Sequence, residues 1–114
     1  MNKDIKKKWV DALRSGEYKQ GRDALKNGDG QYCCLGVLCD LAAREGVVKE
    51  TAKYGEFYYD GASSLPPVSV MSWASLNDIF KRVEYKNVPV PLDALNDSYC
   101  LTFNEIADLI EEQL

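Results

Sequence analysis

The run Cys33-Cys34-Leu35-Gly36-Val37-Leu38-Cys39-Asp40-Leu41-Ala42-Ala43-Arg44 limits what this chain can fold into more than any other segment. No charged side chain interrupts it before Asp40, so the segment has almost no face to offer water. Two forms satisfy that pattern: a helix at the centre of a core, or a strand buried on both faces. The length of the run and the stop at Gly46 fit the helix better. Such a helix must be covered on every side, and 114 residues provide for one core of this kind and no second. The expectation is a single domain over residues 1–114.

The covering elements are legible at both ends of the chain. Ile5, Trp9, Ala12 and Leu13 recur at helical spacing over residues 3–15, with Lys7, Lys8, Asp11 and Arg14 turned outward. Asn2 is suited to cap this helix and Gly16 to stop it. Thr102-Phe103-Asn104-Glu105 is a capping-box pattern, in which Thr102 and Glu105 satisfy each other's free backbone amides. The helix it opens has an apolar stripe of Phe103, Ile106, Ala107, Ile110 and Leu114, with Asn104, Glu105, Asp108, Glu111 and Glu112 facing water.

Between the helices the signals are shorter. Asn27-Gly28-Asp29-Gly30 marks a reversal flanked by Leu25 and Tyr32. Val47, Val48, Tyr54, Phe57, Tyr58 and Tyr59, ahead of Asp60-Gly61, predict one or two short strands with a turn. Pro66-Pro67 opens a short helix reaching Trp73 or Ala74. Ile79, Val83 and Tyr85 alternate with Phe80, Arg82 and Glu84, predicting a strand that Pro89 and Pro91 end, and Asp97 falls in a turn. The fold class is α+β: an N-terminal amphipathic helix, a buried central helix, a few short strands and a capped C-terminal helix.

Charge and composition narrow the functional classes. The net charge of −4 conceals an asymmetry: residues 1–26 carry eight Lys/Arg against four Asp/Glu, and the other 88 carry six against fourteen. A broad basic surface for general nucleic-acid binding is therefore not expected. No apolar stretch approaches the length of a membrane span, and no apolar segment of signal-peptide type follows the basic N-terminus, so a cytoplasmic protein is expected. In that compartment Cys33, Cys34, Cys39 and Cys100 are expected as reduced thiols. The chain has no histidine, which removes Cys-His and His-ligated schemes. There is no paired Cys-x-x-Cys knuckle, so neither a metal nor a cofactor is expected.

Three blocks carry a resemblance. They are Trp9-x-x-Ala12-Leu13-Arg14-Ser15-Gly16-x-Tyr18-x-Gln20-Gly21, the run from Tyr32 through Leu41, and Leu95-Asn96-Asp97 with Thr102-Phe103-x-Glu105-Ile106-Ala107-Asp108. Together they resemble a family of small, largely uncharacterised proteins of tailed bacteriophages and prophages. The resemblance implies a phage origin, and with it the host cytoplasm, but implies no activity and no site residues.

The residues themselves supply one binding candidate. In the stretch Arg14-Ser15-Gly16-Glu17-Tyr18-Lys19-Gln20-Gly21-Arg22, glycines allow a close backbone approach. Arg14, Lys19 and Arg22 suit anionic oxygens, Tyr18 suits a ring, and Gln20 offers both a donor and an acceptor. The bland alternative is a helix cap and loop with solvated charges. The expected function is non-enzymatic binding of a host-made anionic small molecule, in its sharpest form a nucleotide-type defence signal. One rival is a module that grips a host protein through the aromatics at 54–59 and the acidic last helix. Another is a small enzyme using Cys33, Cys34 or carboxylates. The basic first and acidic last helices also allow a homo-oligomer, although pairing within one chain is the simpler outcome.

Overall fold

A computed structural model describes residues 1–78 and 80–114. Ile79, read above as the start of a strand, lies outside the described residues. The described residues form five helices: α1 (Lys3–Arg14), α2 (Cys34–Arg44), α3 (Val68–Ala74), α4 (Leu92–Asp97) and α5 (Phe103–Gln113). They also form two antiparallel hairpins, β1 (Glu50–Lys53) with β2 (Glu56–Tyr59) and β3 (Arg82–Tyr85) with β4 (Val88–Pro91). The α+β expectation is met.

The Cys33–Arg44 run is the central helix, and every side chain from Cys34 to Cys39 is buried. Packing explains why a glycine interrupts it. A β-carbon on Gly36 would stand 1.7 Å from the carbonyl oxygen of Leu25, so the backbone of residue 25 lies directly on the helix. Helix α1 packs across α2, with Trp9 wholly buried and its indole Nε1 donating to the Cys34 carbonyl at 2.9 Å. Asn2 caps α1 by accepting from the amides of Asp4 and Ile5. Helix α5 lies against α1, its Thr102–Glu105 capping box formed in both directions. The basic and acidic helices therefore pair within one chain, as Arg14 does with Asp108 and Glu111.

Each hairpin closes on two residues with positive φ: Tyr54-Gly55 in the first and Lys86-Asn87 in the second. Two consecutive left-handed residues match the right-handed twist of short antiparallel strands. Asp60-Gly61 repeats the arrangement where Tyr59 bridges Ala62, as the sequence led one to expect of a turn there. The Asn27–Gly30 reversal is also present, with Lys26 bridging Tyr32 in antiparallel fashion.

Two expectations need correction. Pro89 and Pro91 do not end a strand; they form β4, opposite Glu84 and Arg82. In a two-stranded pair one edge of each strand is free, and prolines at alternate positions leave that edge without donors, which blunts it against further pairing. Residues 92–97, read as a turn at Asp97, form helix α4 instead. The spacing Leu92, Leu95, Asn96 is helical and all three are buried, but six residues are too few for periodicity to stand out.

The Leu25–Gly36 contact gives a test. Because the carbonyl belongs to packed backbone, Gly36→Ala should lower the unfolding free energy by at least about 3 kcal/mol, or abolish folding. Thermal denaturation followed by circular dichroism measures this, and a melting temperature within a few degrees of the parent would contradict the packing described.

Candidate functional site

The loop joining α1 to α2 is held in place by one buried amide. Asn96 is the only polar side chain among the described residues that is fully buried. Its Oδ1 accepts from Gln20 Nε2 at 2.8 Å and from the Cys34 amide at 3.3 Å. Its Nδ2 donates to the Gly21 carbonyl at 2.9 Å and to Asp97 Oδ1 at 2.8 Å. Gln20 Nε2 also donates to the Leu101 carbonyl, and Asp97 Oδ1 accepts the Asp23 amide. Asn96 of α4 thus ties the loop to the first turn of α2, and Gln20 carries the link on to the segment before α5. The Leu-Asn-Asp triplet is explained by this structural role.

The five residues singled out in the loop have different fates. Arg14 donates to Asp108 at 2.6 Å and to Glu111 at 2.8 Å, and these two hydrogen bonds hold its guanidinium above its ordinary pKa. Tyr18 is buried, donates its hydroxyl to Asp40 and meets Tyr32 edge to face, with ring centroids 5.0 Å apart. Burial, then the bond to Asp40, pushes that phenol well above its usual range. Gln20 is committed through its amino group as described. Lys19 and Arg22 are exposed. Gly21 offers no free amide, since its N–H donates to the Tyr32 carbonyl at 2.7 Å.

Even so, Arg14, Tyr18 and Gln20 come together. With Leu13, Gly16, Thr102, Phe103 and Asn104 they line an open hollow of about 230 Å³ between the end of α1 and the start of α5. Lys19 and Arg22 lie outside its lining. Thr102, Phe103 and Asn104 were assigned from sequence to a cap, a core position and a solvent face. Their part in the hollow depends on where α5 starts relative to the loop, which no local pattern states.

The thiols are placed where chemistry is hard. Cys33, Cys34 and Cys39 are buried, and Cys100 is exposed. Cys33 is the N-cap of α2, accepting from the Gly36 amide at 3.3 Å. Burial outweighs that bond and pushes its thiol up to about 11, with the carboxylate of Asp97 adding to the effect. Burial also raises Cys34 well above the ordinary value, and its Sγ–H donates to the Leu92 carbonyl. Among the described residues no three Cys, Asp or Glu side chains are grouped as metal ligands would be. No helix among them is long and apolar enough to cross a membrane.

A second polar cluster lies beside β2. Lys26 Nζ pairs with Glu50 at 3.2 Å and sits 4.1 Å from the Phe57 ring centroid and 5.3 Å from that of Tyr32. Burial pulls its pKa down, but the hydrogen bonds to Tyr32 and Glu50 more than offset this and hold it above the usual lysine value. Glu50 also accepts from the buried Tyr59 hydroxyl at 2.8 Å. The aromatic segment is divided accordingly: Tyr59 is core, Phe57 and Tyr58 are half-buried, and Tyr54 projects into solvent.

Fold and site together define a small α+β domain in which the thiols are packed away and most of the cationic loop is tied down internally. The whole chain, residues 1–114, matches the model of the family described as Domain of unknown function (DUF8296), and it belongs to that family. No curated protein and no solved structure matches it.

Three measurements check this site. Asn96→Ala leaves the Cys34 amide and the Gly21 carbonyl buried without partners, so it should cost about 3 kcal/mol of stability by chemical denaturation. The thiols should separate under native conditions: Cys100 reacts promptly with an aromatic disulfide reagent, while the other three react only on unfolding. Because the folded pKa of Cys33 lies above the ordinary 9.0, its contribution to stability is complete below pH 9 and is lost as pH rises toward 11. The loss should approach roughly 3 kcal/mol.

Proposed function

We propose that this chain is a non-enzymatic phage accessory protein that binds a small host-made molecule, and that the hollow between α1 and α5 is where it binds. One observation carries the reading: three of the residues picked out by their chemistry, Arg14, Tyr18 and Gln20, converge on one surface hollow with Phe103 and Asn104. With the Tyr18 hydroxyl given to Asp40 and the Gln20 amino group to Asn96 and Leu101, the groups left for a ligand are the Arg14 guanidinium, the Gln20 amide oxygen, the Asn104 amide and the edges of the Tyr18 and Phe103 rings, which suit a planar, weakly anionic molecule of nucleotide type. A volume of about 230 Å³ is below the range of typical ligand pockets, so the hollow takes part of such a molecule and leaves the remainder in water. Arg14 is already shared by Asp108 and Glu111, so a ligand phosphate must compete with two carboxylates. Micromolar affinity is the corresponding expectation, tight enough for sequestering an abundant signal and too weak for a trace one. The buried thiols and the lack of histidine leave no nucleophile and base paired at this hollow. The resemblance to tailed-phage proteins supplies the setting, in which the bound molecule serves bacterial defence.

Amide-resolved NMR titration with adenosine monophosphate, and separately with inorganic phosphate, tests the reading. Shifts should concentrate at residues 14–20 and 102–104, and Arg14→Ala should weaken binding at least tenfold with its fold intact. No shifts at millimolar nucleotide, or equal binding by the variant, would remove the proposal.

A further inference from the structure

The polar cluster beside β2 opens onto a second hollow, which neither the core nor the proposed function uses. It measures about 310 Å³ and lies between residues 23–28, the start of β2 and Ser63-Ser64. Ligand-sized pockets run from about 300 to 1,000 Å³, so this one has room for a single small guest. Backbone frames it at two places. The Leu25 amide donates to the Ser63 carbonyl at 2.8 Å, and a β-carbon on Gly28 would stand 2.6 Å from the Gly55 carbonyl oxygen. The loop is thereby seated against both neighbouring segments, and the hollow is part of how they meet.

Some of its groups are already spent. Asn27 gives its amide to the turn: Nδ2 donates to Gln31 Oε1, and Oδ1 accepts from the amides of Asp29 and Gln31. Lys26 is paired with Glu50 and bonded to Tyr32, and its ammonium stands over the Phe57 ring at 4.1 Å from the centroid. Glu56 accepts the Tyr58 hydroxyl at Oε2 and stands opposite Lys53 in the hairpin register. Others are free. Asp23 spends its backbone amide on Asp97 and Ser63 its carbonyl on Leu25, but neither side chain has a partner among the described residues. The Ser64 hydroxyl is likewise unbonded, Glu56 retains Oε1, and the half-buried Phe57 ring forms part of the wall.

We propose that this hollow binds one ring of a carbohydrate, with its hydroxyls on Asp23, Ser63, Ser64 and Glu56 and its C–H surface on Phe57. Charge and polarity select that class by elimination. An anion would meet the Asp23 carboxylate, whose charge no cation balances within ion-pair distance. A cation would need the face of Phe57, where the Lys26 ammonium already stands and repels a second positive charge. An apolar guest of the same size would bury a carboxylate and two hydroxyls without partners, which is costly. A neutral polyol meets none of these objections. A carboxylate only accepts, so its guest must donate, and the two oxygens of Asp23 can take two neighbouring hydroxyls of one sugar. The serine hydroxyls donate as readily as they accept, which matches the same dual character in the guest. The weakly positive C–H groups of a pyranose pack on an aromatic ring, whose face is the negative side of its quadrupole.

One ring with a handful of hydrogen bonds gives millimolar affinity, and a longer saccharide extends into water. The site shares no lining residue with the hollow between α1 and α5, so the two proposals stand or fall separately.

Amide-resolved NMR titration up to about 100 mM of methyl α-D-glucopyranoside, methyl α-D-mannopyranoside and methyl β-D-galactopyranoside, each alone, tests the proposal. At least one should give saturable shifts at residues 23–28, 56–57 and 63–64. Inorganic phosphate and tetramethylammonium chloride at matched ionic strength should give none there. Asp23 has φ of +67°, a conformation that asparagine also tolerates, so Asp23→Asn should keep the parent's circular dichroism and melting while binding at least about fivefold more weakly. Phe57→Leu, which keeps an apolar side chain but removes the ring, should weaken binding by a similar factor. Absence of saturable shifts with all three glycosides overturns the proposal. So does an Asp23→Asn variant that binds like the parent, or a stronger response of these amides to phosphate or tetramethylammonium than to any glycoside.

Discussion

The amide of Asn96 is the interaction on which the arrangement of this domain depends. A buried primary amide can make four hydrogen bonds, and here two go to the loop at Gln20 and Gly21, one to Cys34 at the start of α2 and one to the neighbouring Asp97. In a low-dielectric interior such a set is favourable only when complete, because each orphaned donor or acceptor retains its full desolvation penalty. The loop from Ser15 to Tyr32 has little regular structure of its own, so its path is fixed by Asn96 and by the bridges at Tyr32. The hollow at Arg14, Tyr18 and Gln20 is a consequence of where that amide places Gln20.

Around this hub the fold is organised by close approach of backbone to α2. The Leu25 carbonyl lies on Gly36, and the Trp9 indole reaches the Cys34 carbonyl. Both contacts require α2 to have no bulky polar face, the property that made the segment conspicuous as a sequence. The same burial accounts for the thiols. Cys33 sits where a helix N-terminus favours a thiolate, yet desolvation wins and the group stays protonated at neutral pH. Position at a helix end is therefore a poor indicator of reactivity when no water reaches the sulfur.

Helices α1, α2 and α5 were legible because each carries a local signature of adequate length, whereas the six residues of α4 were not. Asn2, the Thr102–Glu105 box and the apolar stripes of α1 and α5 are statements about neighbouring residues, and neighbouring residues satisfy them. The site was legible only as an inventory. Residues 14–22 were identified by chemical type, but their partners are 22 to 97 positions away: Asp40 for Tyr18, Asn96 and Leu101 for Gln20, Asp108 and Glu111 for Arg14. No spacing rule in a single chain specifies such pairs. The cationic loop therefore looked more available than it is.

The sequence by itself determined that this chain has one core, a central helix with no wet face, capped helices at both ends and cysteines without a histidine partner. These follow from periodicity, capping chemistry and composition, which act over a few residues and do not depend on how the chain returns on itself. Tertiary structure decided the rest: that Asn96 is the internal fastener, that Pro89 and Pro91 make an edge strand, that Arg14 is neutralised by α5, and that Tyr54 alone of its aromatic segment stands free in water. Each of these is set by which distant groups meet, because a buried polar or apolar group is stabilised only by the neighbours that actually surround it.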